Sequence, residues 1–146
     1  MLKSTGGFQP ASLTAGVSQT TVATPGTSMT ISTTVYNVTS KSLAAGTYLV
    51  WGIVDFALTG LSATSFSCGI GVANNAFLGQ AGGSGVGPDP NSVNDYITTV
   101  FSGALNVDCG PTIVTLAATT TIYLNASAAF TAGTVTAFGT LSTLLI

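Results

Sequence analysis

Few residues in this 146-residue sequence are equipped for chemistry, because only six side chains carry charge: Lys3, Lys41, Asp55, Asp89, Asp95 and Asp108. Asp55 is the most conspicuous, interrupting the run GTYLVWGIVDFAL at Gly46–Leu58. A carboxyl in such surroundings is either a site acid with a raised pKa or a rim residue bonded to backbone, hydroxyls or water. No second acid, His or Arg stands near it in sequence, so the rim placement is expected. Asp108, beside Cys109-Gly110, is expected to shape a turn. Asp89, Asn91, Asn94 and Asp95 offer the oxygens calcium takes, but their spacing matches no loop motif, and Pro88-Asp89-Pro90-Asn91 reads as an ordinary turn. The glycines of Gly79–Gly87 lack the following Lys and the strand–helix setting of a phosphate loop.

Nucleophilic catalysis has no support either. Ser and Thr are abundant, yet the sequence holds no His to pair with them and shows no Ser–Lys partnership. Its two cysteines, Cys68 and Cys109, cannot alone make a zinc site. Cys68 falls on the apolar side of the alternating run Phe66, Cys68, Ile70, Val72, so a buried thiol is expected. A Cys68–Cys109 disulfide between neighbouring strands is the alternative. Trp51, Tyr36, Tyr96 and Tyr123 can in principle stack on sugars, although such side chains more commonly fill cores and interfaces. The expectation is a non-enzymatic protein with no cofactor and no metal.

Composition narrows the class further. Charged residues make up 4% of the chain and the net charge is −2, against about 25% charged in ordinary globular domains. A surface so poor in charge stays in solution through hydroxyls and amides, or is covered by copies of itself or other proteins. Two distant lysines cannot grip phosphates, which excludes nucleic acid. The longest apolar run is broken by Gly52 and Asp55 and is too short to span a membrane as a helix. The opening MLKSTGGFQPASL lacks a signal peptide's apolar core, so synthesis in a cytoplasm without that route of export is expected.

The elements that must position these residues read as strands throughout. Residues 1–28 are rich in Thr, Ser, Ala and Gly with scattered apolar residues, and are expected to form an extended N-terminal arm. Phe8, Leu13 and Val17 would be its anchor points on a partner. From Met29 the pattern turns to β: Met29–Thr39 with Met29, Ile31, Thr33 and Val35 on one face, a turn over Lys41–Gly46, and then the opening run. Ser65–Ala73 follows, its outward face of Ser65, Ser67, Gly69 and Gly71 bare enough for a close approach. Asn74–Asn94 is the one long loop. Asp95–Val107, Pro111–Leu116, Thr119–Phe130 and Val135–Ile146 complete seven or eight strands. The fold class is all-β: a single antiparallel β-sandwich, jelly-roll-like, over residues 29–146, with the arm before it.

Several short stretches resemble a known family. Gly46-Thr47-Tyr48, Ile122-Tyr123-Leu124 and the closing Ala137-Phe138-Gly139-Thr140-Leu141 resemble strand signatures of the tumour-necrosis-factor and complement globular-head superfamily. Ala132-Gly133-Thr134 followed by Ala137-Phe138-Gly139 is similar to the ends of small all-β virion proteins of tailed bacteriophages. The resemblance covers roughly residues 29–146. It departs from many phage relatives at Thr143-Leu144-Leu145-Ile146, where their last strand is basic. It implies a homotrimer on the outer surface of a virion, assembled in the host cytoplasm: a capsid decoration (cement) or head-fibre protein touching the major capsid protein. The alternative is a tail-fibre tip whose loops, such as Asn74–Asn94, bind a host surface glycan.

That implication bears on the opening run. Alternation places Tyr48, Val50, Val54, Phe56 and Leu58 on one face and Leu49, Trp51, Ile53 and Ala57 on the other, with Asp55. The first face is expected to meet the sandwich core. Leu49, Trp51 and Ile53 are expected to meet another subunit.

Overall fold

The computed structural model describes residues 18–21, 26–77 and 93–146. Phe8, Leu13, Val17, Asp89 and Asn91 lie outside them. Nine strands run in order: β1 (Ser18–Thr21), β2 (Thr27–Met29), β3 (Tyr36–Leu43), β4 (Gly46–Leu58), β5 (Ala63–Gly71), β6 (Val93–Phe101), β7 (Ala104–Leu116), β8 (Thr120–Phe130) and β9 (Val135–Leu145). They form two antiparallel sheets. The first has the order β1-β9-β4-β7 with β2 also on β9, and the second has the order β3-β8-β5-β6.

The pairings nest. β1 and β2 pair with β9, β3 with β8, β4 with β7 and β5 with β6. This is the pattern of one long antiparallel hairpin, its tip between β5 and β6, rolled so that successive pairs fall in opposite sheets. The sheets are closed by β4 against β9 and β5 against β8. Nested pairing of this kind is a jelly roll. No helix among the described residues is long and apolar enough to cross a membrane.

Alternation explains which side chains fill the sandwich. From β4, Val50, Val54 and Phe56 are fully buried, and they meet Phe66, Ile70, Ile122 and Leu124 from the second sheet. The rings of Phe56 and Phe66 lie 5.0 Å apart at 54°, a tilted contact that favours aromatic pairs. Leu124 of the second sheet packs directly over Gly52. A Cβ there would stand 2.6 Å from Leu124 Cδ1 and 3.2 Å from Cys109 Sγ. Gly52→Ala should therefore lower the unfolding free energy by about 1–3 kcal/mol, as overpacked cores do. Urea titration with an unchanged slope checks this.

Several expectations about boundaries are corrected. Met29–Thr39 is not one strand. The chain leaves the first sheet after Met29, turns with Thr33 at φ 64°, and enters the second sheet at Tyr36. Ile31, expected on one face with Met29, is consequently 62% exposed while Met29 is fully buried. Tyr36 fixes this crossing, its phenol oxygen accepting from the Thr30 and Ile31 amides at 3.2 and 3.0 Å. The turn before β4 is shorter than Lys41–Gly46, since β3 continues to Leu43. Asp95–Val107 is split at Ser102-Gly103, where Gly103 takes φ 117° and its carbonyl accepts the Leu58 amide. Strands β1 and the start of β2 fall within the span read as arm, paired to β9.

The segment Asp108–Pro111 is not a turn. It lies inside β7, where the register to β4 shifts between Val50 and Gly52, so that Gly110 and Pro111 together oppose Trp51. This is a β-bulge. A Cβ on Gly110, at φ 92°, would stand 2.9 Å from Val50 O, so the bulge needs glycine there. Cys68 and Cys109 are both buried and not joined by a disulfide. The Cys68 thiol donates to Val107 O at 3.5 Å.

Candidate functional site

Strand alternation fixes what the outer face of the first sheet displays. Leu49, Trp51, Ile53, Asp55 and Ala57 point outward from β4. Their partners on β9 are Leu144, Ser142, Thr140, Phe138 and Thr136. On β7, Ile113 stands opposite Leu49, Asp108 opposite Ile53 and Asn106 opposite Asp55. One end of the face is therefore apolar, and the other carries two carboxylates and an amide.

The apolar end is left uncovered by the described residues. Ile53 is 39% exposed and Ile113 61%. Leu49, Trp51 and Leu144 are half-buried, and Pro111 is exposed. Beside the Gly110-Pro111 bulge lies a groove of about 410 Å³, lined by Leu49, Trp51, Ile53, Asp108, Gly110 and Pro111 among others. The structure thus brings Leu49, Trp51 and Ile53 together on one surface, as alternation required. It adds Ile113, Pro111 and Leu144, which the sequence reading missed. Alternation through Pro111–Leu116 separates Ile113 from Val114 and Leu116, but which strand lies beside β4 is a matter of topology.

Asp55 and Asp108 are both exposed. They are diagonal neighbours across β4 and β7, since Asp55 opposes Asn106 and Asp108 opposes Ile53. Asp55 thus sits on the rim of the apolar strip and not in a pocket. Among the described residues, no three His, Cys, Asp or Glu side chains gather to hold a metal.

On the outer face of the second sheet, polar side chains of β5 and β8 are hydrogen-bonded. Ser67 Oγ and Ser127 Oγ lie 2.8 Å apart. Asn125 is 1% exposed; its Nδ2 donates to the Ala73 and Ala76 carbonyls at 2.9 and 3.0 Å. Its Oδ1 accepts the Asn75 amide at 3.2 Å. Of the four residues over which a close approach was expected, Ser67, Gly69 and Gly71 are buried and Ser65 is half-buried. Trp51 and Tyr123 do not form one sugar-stacking surface, because Trp51 lies outside the first sheet and Tyr123 outside the second. A wider cleft of about 810 Å³ lies among the turns at the Leu58, Ser102 and Thr131 end, and no charged side chain lines it.

No protein-family model matches the chain, and no curated protein matches it. Two solved structures align along most of it. The structure of infectious bursal disease virus Gx strain covers 89% of this chain and 32% of its own, at 14% identity and a TM-score of 0.37. The crystal structure of the infectious bursal disease virus VP2 subviral particle covers 90% and 30%, at 13% identity and a TM-score of 0.39. The chain thus spans about a third of the length of either.

Proposed function

We propose that this chain is a non-enzymatic structural protein of a virion that assembles through the outer face of its first sheet. The observation that carries the assembly reading is the apolar strip of Leu49, Trp51, Ile53 and Ile113, left open by the described residues on a protein that is 4% charged. Contiguous apolar patches on soluble proteins mark interaction sites. A jelly roll hosts many functions, so the fold is compatible support and the face bears the weight.

In its finer form the reading is a homotrimer on the outer surface of a tailed-phage capsid, a decoration or head-fibre protein. Three copies pack their first sheets around a common axis, each apolar strip covered by its neighbours. The segment ahead of β1, with Phe8, Leu13 and Val17, extends to neighbouring proteins of the shell, other copies of this chain and the major capsid protein among them. Imaging particles that carry labelled protein tests this. Label over the head surface is expected, label confined to the tail would favour a receptor-binding tip, and label absent from particles would overturn the virion reading.

A further inference from the structure

We infer that the groove beside Trp51 seats the N-terminal segment, residues 1–17, of a neighbouring copy of this chain. The inference rests on the outer face being a contact between copies, and it names the part of the neighbour that enters the groove.

Three observations converge. The groove itself selects its occupant: Leu49, Trp51, Ile53 and Pro111 make it apolar, and Asp108 places one carboxylate on its wall. It suits an extended segment that carries spaced apolar side chains and a cation. The chain has only two cationic side chains, Lys3 and Lys41. Lys41 lies within β3 of the second sheet, so Lys3, followed by Phe8 and Leu13, is the one that belongs to a segment ahead of the sandwich.

Direction points to a neighbour. Ser18 pairs with Thr143, and β9 ends at Leu145. Prolonged backwards, β1 runs off the sheet within a few residues, at the end where Leu49 and Leu144 stand. Reaching its own groove would require a reversal and a crossing of β9 and β4. Residues 1–15, extended at ~3.3 Å each, reach roughly 50 Å. A domain of this size has a radius of gyration of only about 15 Å, so the segment is long enough to reach an adjoining copy.

Trp51 is the only tryptophan, so its fluorescence reports on the groove. In the full chain its emission should shift to the red on dilution, in step with loss of assembled mass. Deleting residues 1–15 should shift it to the red at constant concentration and raise its quenching by acrylamide. A synthetic peptide of residues 1–17 should reverse both changes saturably, and the same peptide with Phe8→Ala and Leu13→Ala should not. Phe8→Ala/Leu13→Ala in the full chain is the second variant and should behave like the deletion. If the truncated protein keeps its assembled mass and an equally shielded Trp51, the inference is overturned while the assembly face stands. A shielded Trp51 in a full chain of single-chain mass, unmoved by dilution, would place the segment in its own groove and also overturn it. Single-chain mass with Trp51 equally open to quencher in full and truncated protein would remove the assembly face itself.

Discussion

Replacing Phe56 by alanine should cost about 3–5 kcal/mol of unfolding free energy, as truncating a buried Phe does. The ring is fully buried on the inward face of β4 and packs on Phe66 of the opposite sheet. Because neighbouring strands hold the two sheets apart, the space left cannot close completely, so a cavity adds to the lost transfer energy. Total stability of about 5–15 kcal/mol is usual for a domain, and the variant should sit close to its limit. Urea denaturation followed by far-UV circular dichroism measures the effect. A shift under about 1 kcal/mol would be typical of a surface substitution and would mean that the two faces of β4 have been assigned the wrong way round.

Five residues earlier on the same strand, Trp51→Lys should do the opposite. Its side chain points off the sandwich, opposite Ser142 on β9 and the Gly110-Pro111 bulge on β7. The lysine can reach water in a single chain, so circular dichroism and the urea midpoint of the separated chain should stay close to those of the unaltered fold. In the assembled protein it would remove the aromatic side chain and require a cation to be desolvated within an apolar contact, which costs free energy. Loss of a central aromatic anchor typically costs 2 kcal/mol or more, roughly a thirtyfold weakening of association. Ser42→Lys, at an exposed position of the second sheet, should leave assembly unchanged. A Trp51→Lys chain that cannot fold at all would return Trp51 to the core.

The contrast between these two residues was legible in the sequence because period-2 alternation survives through β4 without interruption. What was not legible has two physical causes. Thr33-Thr34 and Ser102-Gly103 interrupt strands that β-formers carry up to the break. The decisive conformations at Thr33 and Gly103 belong to crossings dictated by tertiary pairing. Gly110-Pro111 carries the composition of a turn, yet β4 is long enough to hold β7 on both sides of it, so the same residues make a bulge. The candidate site divided in the same way. Leu49, Trp51 and Ile53 follow from alternation within one strand, whereas Ile113, Pro111 and Leu144 join them only once β7 and β9 are known to flank β4. The contribution of Ser18–Thr21 to the first sheet could not be read either, since four polar residues acquire a strand only from β9 beside them.

In the proposed assembly, other copies of the chain cover the apolar outer face of the first sheet. Sedimentation equilibrium of the full chain beside its Trp51→Lys variant tests it most directly. The expected result is a mass of three 14.4 kDa chains for the unaltered protein and of one for the variant, with identical circular dichroism. Equal masses for the two folded proteins would contradict it.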